Sequence, residues 1–177
     1  MFDIQPNSNP LQPKQEFYND LLDQIKAIVE GQRNWVTNLA NASAVIYHEL
    51  RSLEHFQKKP LNWAGFYVVD PTNAEKLILG PFQGKLACTE IPFGKGVCGA
   101  AAATQQTQVI KDVHQFPGHI ACDSASNSEI VVPMILNGKV IGVLDIDCEK
   151  TEGFDQEDRV GLEAIVQVLV ESCDWKQ

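Results

Sequence analysis

No stretch of the 177 residues approaches the length of a membrane span. The opening Met1-Phe-Asp-Ile-Gln-Pro-Asn-Ser8 has neither the basic nor the apolar segment of a secretory leader, so neither a membrane nor an export route is expected. Basic residues are scarce. Fourteen Lys and Arg face 23 Asp and Glu, for a net charge of −9 and a pI of about 4.8, which argues against nucleic acid or an anionic membrane as partner. Repeats and low-complexity segments are absent. So are Cys-x-x-Cys and His-x-x-x-His pairs, the strong spacings of a zinc site. Gly94-Lys95-Gly96 resembles a phosphate cradle but completes neither a P-loop nor a dinucleotide fingerprint. Five cysteines, an odd number without a leader, disfavour a disulfide scaffold and point to reduced thiols in the cytosol. In that setting the Asn41-Ala-Ser43 sequon is a chance match inside a helix.

What is present describes one globular domain, with 44% hydrophobic and 21% charged residues, enough for a sizeable core. Residues 1–13 carry three prolines and read as a flexible arm, followed by a single domain over 14–177. Phe17, Leu21, Ile25, Ile28 and Val29 fall at helical spacing between Lys14 and Glu30, and Gly31 ends that helix. Trp35, Leu39, Ala42, Ile46, Leu50 and Leu53 form one stripe of a second helix from about Asn34 to Phe56. Strand-like runs follow at Asn62–Val69, Lys76–Phe82 and Leu86–Ile91, separated by turn chemistry. Glu129–Leu136 and Lys139–Asp147 flank Asn137-Gly138, which supplies the positive φ angles of a tight hairpin turn. Asp155 caps a last helix running to about Cys173. Helices at both ends of a hairpin-rich centre predict an α+β, three-layer domain with an antiparallel sheet.

Thiols and acids carry the chemistry. Cys88 ends a strand-like run, Cys98 lies just inside a glycine-flanked helix start, and Cys122 sits in a polar loop. A cycle through sulfenic acid and disulfide needs one attacking thiol and a second within reach. Cys98 is expected to gain thiolate character from the helix dipole, against the bland reading of a small core residue. Cys122 has His119 nearby to lower its pKa and Asp123 to oppose that, and it lies on a loop, where chemistry concentrates. A zinc site of Cys88, Cys98, Cys122 and His119 is the rival use of the same residues. Asp145 and Asp147 alternate with Ile146 and so share one strand face, where mutual repulsion raises one pKa. A plain two-residue hairpin would put Glu129 opposite Ile146, off that face. A bulge at Pro133 would shift the register by one and bring it on. Trp63 and Tyr67, four apart on one strand with Gly65 between, form an aromatic wall or ordinary core.

These segments together resemble a known family. Asn62–Tyr67, Leu79–Cys88, Phe93–Gly99, Pro117–Asp123, Ser128–Pro133 and Leu144–Asp147 are similar to the free methionine-(R)-sulfoxide reductases, which are single GAF domains. The likeness spans about residues 30–175. It implies a six-stranded antiparallel sheet between helices and the reduction of free methionine-(R)-sulfoxide. By the same resemblance, Trp63 and Tyr67 surround the methyl-sulfoxide end, and Glu129, Asp145 and Asp147 the polar groups. Cys122 attacks, Cys88 and Cys98 are the candidates for resolving, and thioredoxin restores the thiols. No metal or organic cofactor is required. A homodimer in the cytoplasm is expected, with the nucleus left open. The alternative is a non-enzymatic GAF sensor of a cyclic nucleotide or similar ligand, although a sensor has no need of three cysteines around one pocket.

Overall fold

The structure, a computed structural model, describes residues 9–119 and 122–175. Among these residues five α-helices and six strands follow in the order α1 (Lys14–Val29), α2 (Trp35–Ser52), α3 (Glu54–Lys58), β1 (Leu61–Asp70), β2 (Asn73–Gly84), β3 (Glu90–Pro92), α4 (Gly96–Thr104), β4 (Gln108–Ile110), β5 (Ser128–Leu136), β6 (Lys139–Cys148) and α5 (Gln156–Ser172), with a short 3-10 turn at Val113–Gln115. The strands form one antiparallel sheet in the order β3-β2-β1-β6-β5-β4. Alternating side chains give that sheet two buried faces. Ala64, Phe66, Ile130, Val132, Leu144 and Ile146 pack with apolar residues of α1, α2 and α5 in the larger core. Trp63, Tyr67, Val131 and Val143 meet Val97, Cys98, Ala101 and Ala102 of α4 on the other face. The α+β three-layer architecture is as expected.

Asn34 caps α2 by accepting from Thr37 N, and Asp155 caps α5 in a reciprocal box with Asp158. The fully buried Asp158 carboxylate also accepts from Tyr18 Oη at 2.9 Å and pairs with Lys14 at 2.6 Å, tying α1 to α5. Two expected elements are shorter than the sequence pattern suggested. The helix expected to reach Phe56 breaks at Leu53, whose backbone is extended while its side chain stays in the core. Glu54 N then donates to Pro10 O, outside the helix. The strand expected over Leu86–Ile91 shrinks to Glu90–Pro92, and Leu86, 89% exposed, lies on the loop before it. Cys88 is therefore on a loop, not at a strand end. Of the expected N-terminal arm, residues 1–8 lie outside the described residues.

The hairpin settles the placement of Glu129. Asn137 and Gly138 have φ of 51° and 78°, and Leu136 pairs with Lys139 in the tight register. Between Met134 and Ile135 the partners jump from Gly142 to Val140, leaving Ile141 as the extra residue. The one-residue shift exists, but the bulge lies on β6 at Ile141 and not at Pro133, which pairs regularly with Val143. Pro133 needs no bulge there. The short β4 stops pairing at Val131, so beyond it a missing N–H on that side breaks no ladder.

Candidate active site

The shifted register puts Glu129 opposite Asp147, and Asp147 in turn opposite Trp63. Asp145 lies opposite Gly65 on one side and Val131 on the other. Glu129, Asp145, Asp147, Trp63 and Tyr67 thus stand on one sheet face, the face that α4 covers. Together with His119, Cys98, Cys122, Asp123, Ser126 and neighbouring backbone they line a cavity of about 40 Å³. Gly65 is required beneath it, since a Cβ there would collide with Phe82 and the Trp63 ring. Trp63 stacks between Tyr67 and Phe82 at centroid distances of 5.8 and 5.3 Å.

Burial controls the acid–base chemistry. It lifts Asp145 to about 7, against the opposing hydrogen-bonding influence of Cys98 and Glu129. Burial and the charges of Asp145 and Asp147 push Glu129 well up, and burial followed by Asp145 does the same for Asp147. Burial, then Asp145, keeps the Tyr67 phenol protonated. The Asp145 Oδ1 acceptor and the Trp63 Nε1–H donor are both buried without a partner. A wall with an idle acceptor and an idle donor, and acids that hold protons near neutrality, can bind a small zwitterion and protonate its oxygen.

The thiols differ from one another. Cys88 and Cys122 are joined in a disulfide with Cα atoms 5.5 Å apart, across 34 residues of sequence. Each comes from a loop, and Cys122 is exposed at the pocket mouth. Cys98 is free and only 4% exposed, with its Sγ 3.9 Å from Glu129 Oε1. Burial and the neighbouring Asp145 and Glu129 charges push its thiol well up, opposite to the lowering expected from the helix dipole. The carboxylates outweigh the helix terminus. His119 is lowered by its own burial and then by His114, which keeps it neutral, so it supplies no positive charge to Cys122. The zinc set of Cys88, Cys98, Cys122 and His119 does not assemble, because two of its thiols bond to each other.

Sequence reading missed the residues that hold the Cys122 loop. Asn62 Nδ2 donates to Ser126 Oγ at 2.9 Å and to Asp123 Oδ2 at 3.2 Å, and Asp123 Oδ1 accepts from Ala125 N. The register between β1 and β6 slips at Asn62. An asparagine heading an otherwise apolar strand was the available signal. Gly94-Lys95-Gly96 was given little weight as a phosphate cradle, yet Lys95 and Gly96 line this pocket beside a helix N-terminus whose first amides have no helical acceptor.

Comparison with known proteins gives a consistent picture. Residues 50–170 match the GAF domain family. The free methionine-R-sulfoxide reductase of Saccharomyces cerevisiae is 51% identical over 92% of this chain and 89% of its own length. The protein of the same name from Escherichia coli is 48% identical over 93% of this chain and 94% of its own. Among solved structures, free methionine-R-sulfoxide reductase from Neisseria meningitidis in complex with its substrate superposes with a TM-score of 0.84 at 42% identity, covering 97% of this chain and 95% of that one.

Proposed function

This chain belongs to the GAF domain family and, within it, to the free methionine-(R)-sulfoxide reductases, and on that premise we propose that it reduces free L-methionine (R)-S-oxide to L-methionine through Cys122. The Cys88–Cys122 disulfide at the mouth of an acidic, aromatic-walled pocket carries this reading. It is the expected oxidised end of the thiol cycle.

The Cys122 thiolate attacks the sulfoxide sulfur, while a carboxyl of the Glu129–Asp145–Asp147 face gives a proton to the sulfoxide oxygen. Sulfur is reduced from sulfoxide to thioether, and the oxygen leaves on Cys122 as a sulfenic acid. The Cys88 thiol then condenses with that sulfenic acid, releasing water and forming the disulfide. An external dithiol returns both cysteines to thiols, so one sulfoxide and one dithiol give methionine, water and a disulfide. Trp63 and Tyr67 hold the methyl end, and the carboxylates face the substrate ammonium. Cys98 is buried and stands outside the disulfide, so this reading gives the first resolving step to Cys88.

Thioredoxin is the dithiol in this reading, and a homodimer in the cytoplasm, salvaging methionine during oxidative stress, is the working form. No helix among the described residues is long and apolar enough to cross a membrane. Incubation with dithiothreitol and separated diastereomers tests the activity, with loss of the free R form and persistence of the S form expected. Persistence of both would overturn it. Replacing dithiothreitol by thioredoxin tests recycling, and light scattering tests the dimer.

A further inference from the structure

The pocket floor brings together three groups of a different kind of site. Cys98 Sγ and one carboxylate oxygen each of Glu129 and Asp145 lie within 4.8 Å of one another, and all three residues are buried. They come from α4, β5 and β6, so regular backbone holds each one. Asp145 is only 6% exposed and its Oδ1 has no hydrogen-bond partner, an unoccupied ligand atom inside the pocket. We infer that this trio binds a borderline-soft divalent cation of the Zn²⁺ class.

The geometry is close to what such an ion needs. Tetrahedral bonds of about 2.0–2.3 Å set ligand atoms about 3.3–3.7 Å apart. Cys98 Sγ and Glu129 Oε1 are already at 3.9 Å, so small side-chain rotations close the site. Binding displaces the protons of the three groups to solvent, and the resulting thiolate with two carboxylates selects Zn²⁺ or Co²⁺ over Mg²⁺ and Ca²⁺, which favour six or more oxygen ligands. Three protein ligands leave a fourth position for water. The ion would occupy the carboxylates that a substrate ammonium would otherwise face. It is therefore an inhibitory ligand, and the reaction itself does not use it. The set survives in the oxidised protein, because the disulfide consumes Cys88 and Cys122 but spares Cys98.

Co²⁺ titration of the disulfide form, followed by absorption spectroscopy, tests the assignment without reference to turnover. A thiolate-to-cobalt charge-transfer band saturating at about one equivalent, and displaced by Zn²⁺, is expected. Cys98→Ser should abolish the band, and Asp145→Asn should weaken binding by about tenfold or more. The remaining thiols, Cys148 and Cys173, lie elsewhere and stay intact in both variants. Absence of the band in the wild-type protein, or its persistence in Cys98→Ser, would overturn the site. If the band fails while R-sulfoxide turnover is intact, only the cation site is lost. A band without turnover removes only the reductase reading.

Discussion

Glu129 and Asp147 stand directly opposite each other across the β5–β6 ladder, with Asp145 two residues along on the same face. Two buried acids beside a half-buried third destabilise the fold where they are ionised, since water screens them poorly. Proton-holding acids suit sulfoxide reduction, because the departing oxygen has to be protonated.

Asp145→Asn should therefore remove a pH dependence of stability. Asp145 rises from 3.8 to about 7 in the folded chain. Between those values the folded chain holds a proton that the unfolded chain has released, so stability is highest below the lower value and falls as pH rises to the upper one. The slope is at most about 1.4 kcal/mol per pH unit for this group. Glu129 and Asp147 face it and share the trend, whereas the Cys98 thiol and the Tyr67 phenol, also raised, add to it only at alkaline pH. In chelator-treated buffer the variant should melt at the wild-type temperature or above it once pH exceeds about 7. A lower melting temperature there would mean that the charge stabilises the fold.

Asp147→Asn and Glu129→Gln keep shape and remove the ionisable proton. Steady-state assays should show turnover of the R sulfoxide lower by about a hundredfold or more, the range of lost general-acid catalysis. Circular dichroism should show the fold unchanged. Full activity in both variants would put the proton donor elsewhere.

Cys148 and Cys173 point away from this chemistry. Cys148 sits in the larger core with its Sγ toward Lys59 O, and Cys173 accepts from Asn38 Nδ2 at 3.4 Å. Replacing both by alanine should leave turnover within a few-fold, although lost packing lowers stability by about 1–2 kcal/mol. A hundredfold loss of activity, about 2.7 kcal/mol in barrier, would give one of them a catalytic role.

Gly161→Ala separates the α1–α5 clasp from the active site. Alanine improves helix propensity by about 1 kcal/mol, but its Cβ would run into the Tyr18 ring, and overpacking costs about 1–3 kcal/mol. Packing should win, and thermal melting should show a fall of about 2–4 °C per kcal/mol with kcat/KM unchanged. An increase would mean that Tyr18 moves aside freely.

Much of this was legible beforehand. Helical periodicity gave α1, α2 and α5, and Asn137-Gly138 fixed the hairpin because few residues tolerate its φ angles. Alternation put Asp145 and Asp147 together. The register slip that recruits Glu129 was legible as a need but not as a place, because Ile141 carries no mark that distinguishes it from its neighbours. Leu86 looked like strand because apolar runs usually are, while its exposure depends on tertiary contacts alone. The Cys98 expectation failed for a related reason. The helix dipole can be read locally, but the carboxylates that outweigh it come from distant β5 and β6. The Cys88–Cys122 pairing likewise required knowing that two loops meet.

Single-turnover release of methionine from reduced protein, with no reductant present, tests the central claim that Cys122 attacks and Cys88 resolves. A resolving variant still completes one attack, whereas a variant without the nucleophile completes none. Cys122→Ser should release no methionine, and Cys88→Ser and Cys98→Ser should each release about one per active site. Methionine from Cys122→Ser together with none from Cys98→Ser would contradict the account and move the attack to the buried thiol.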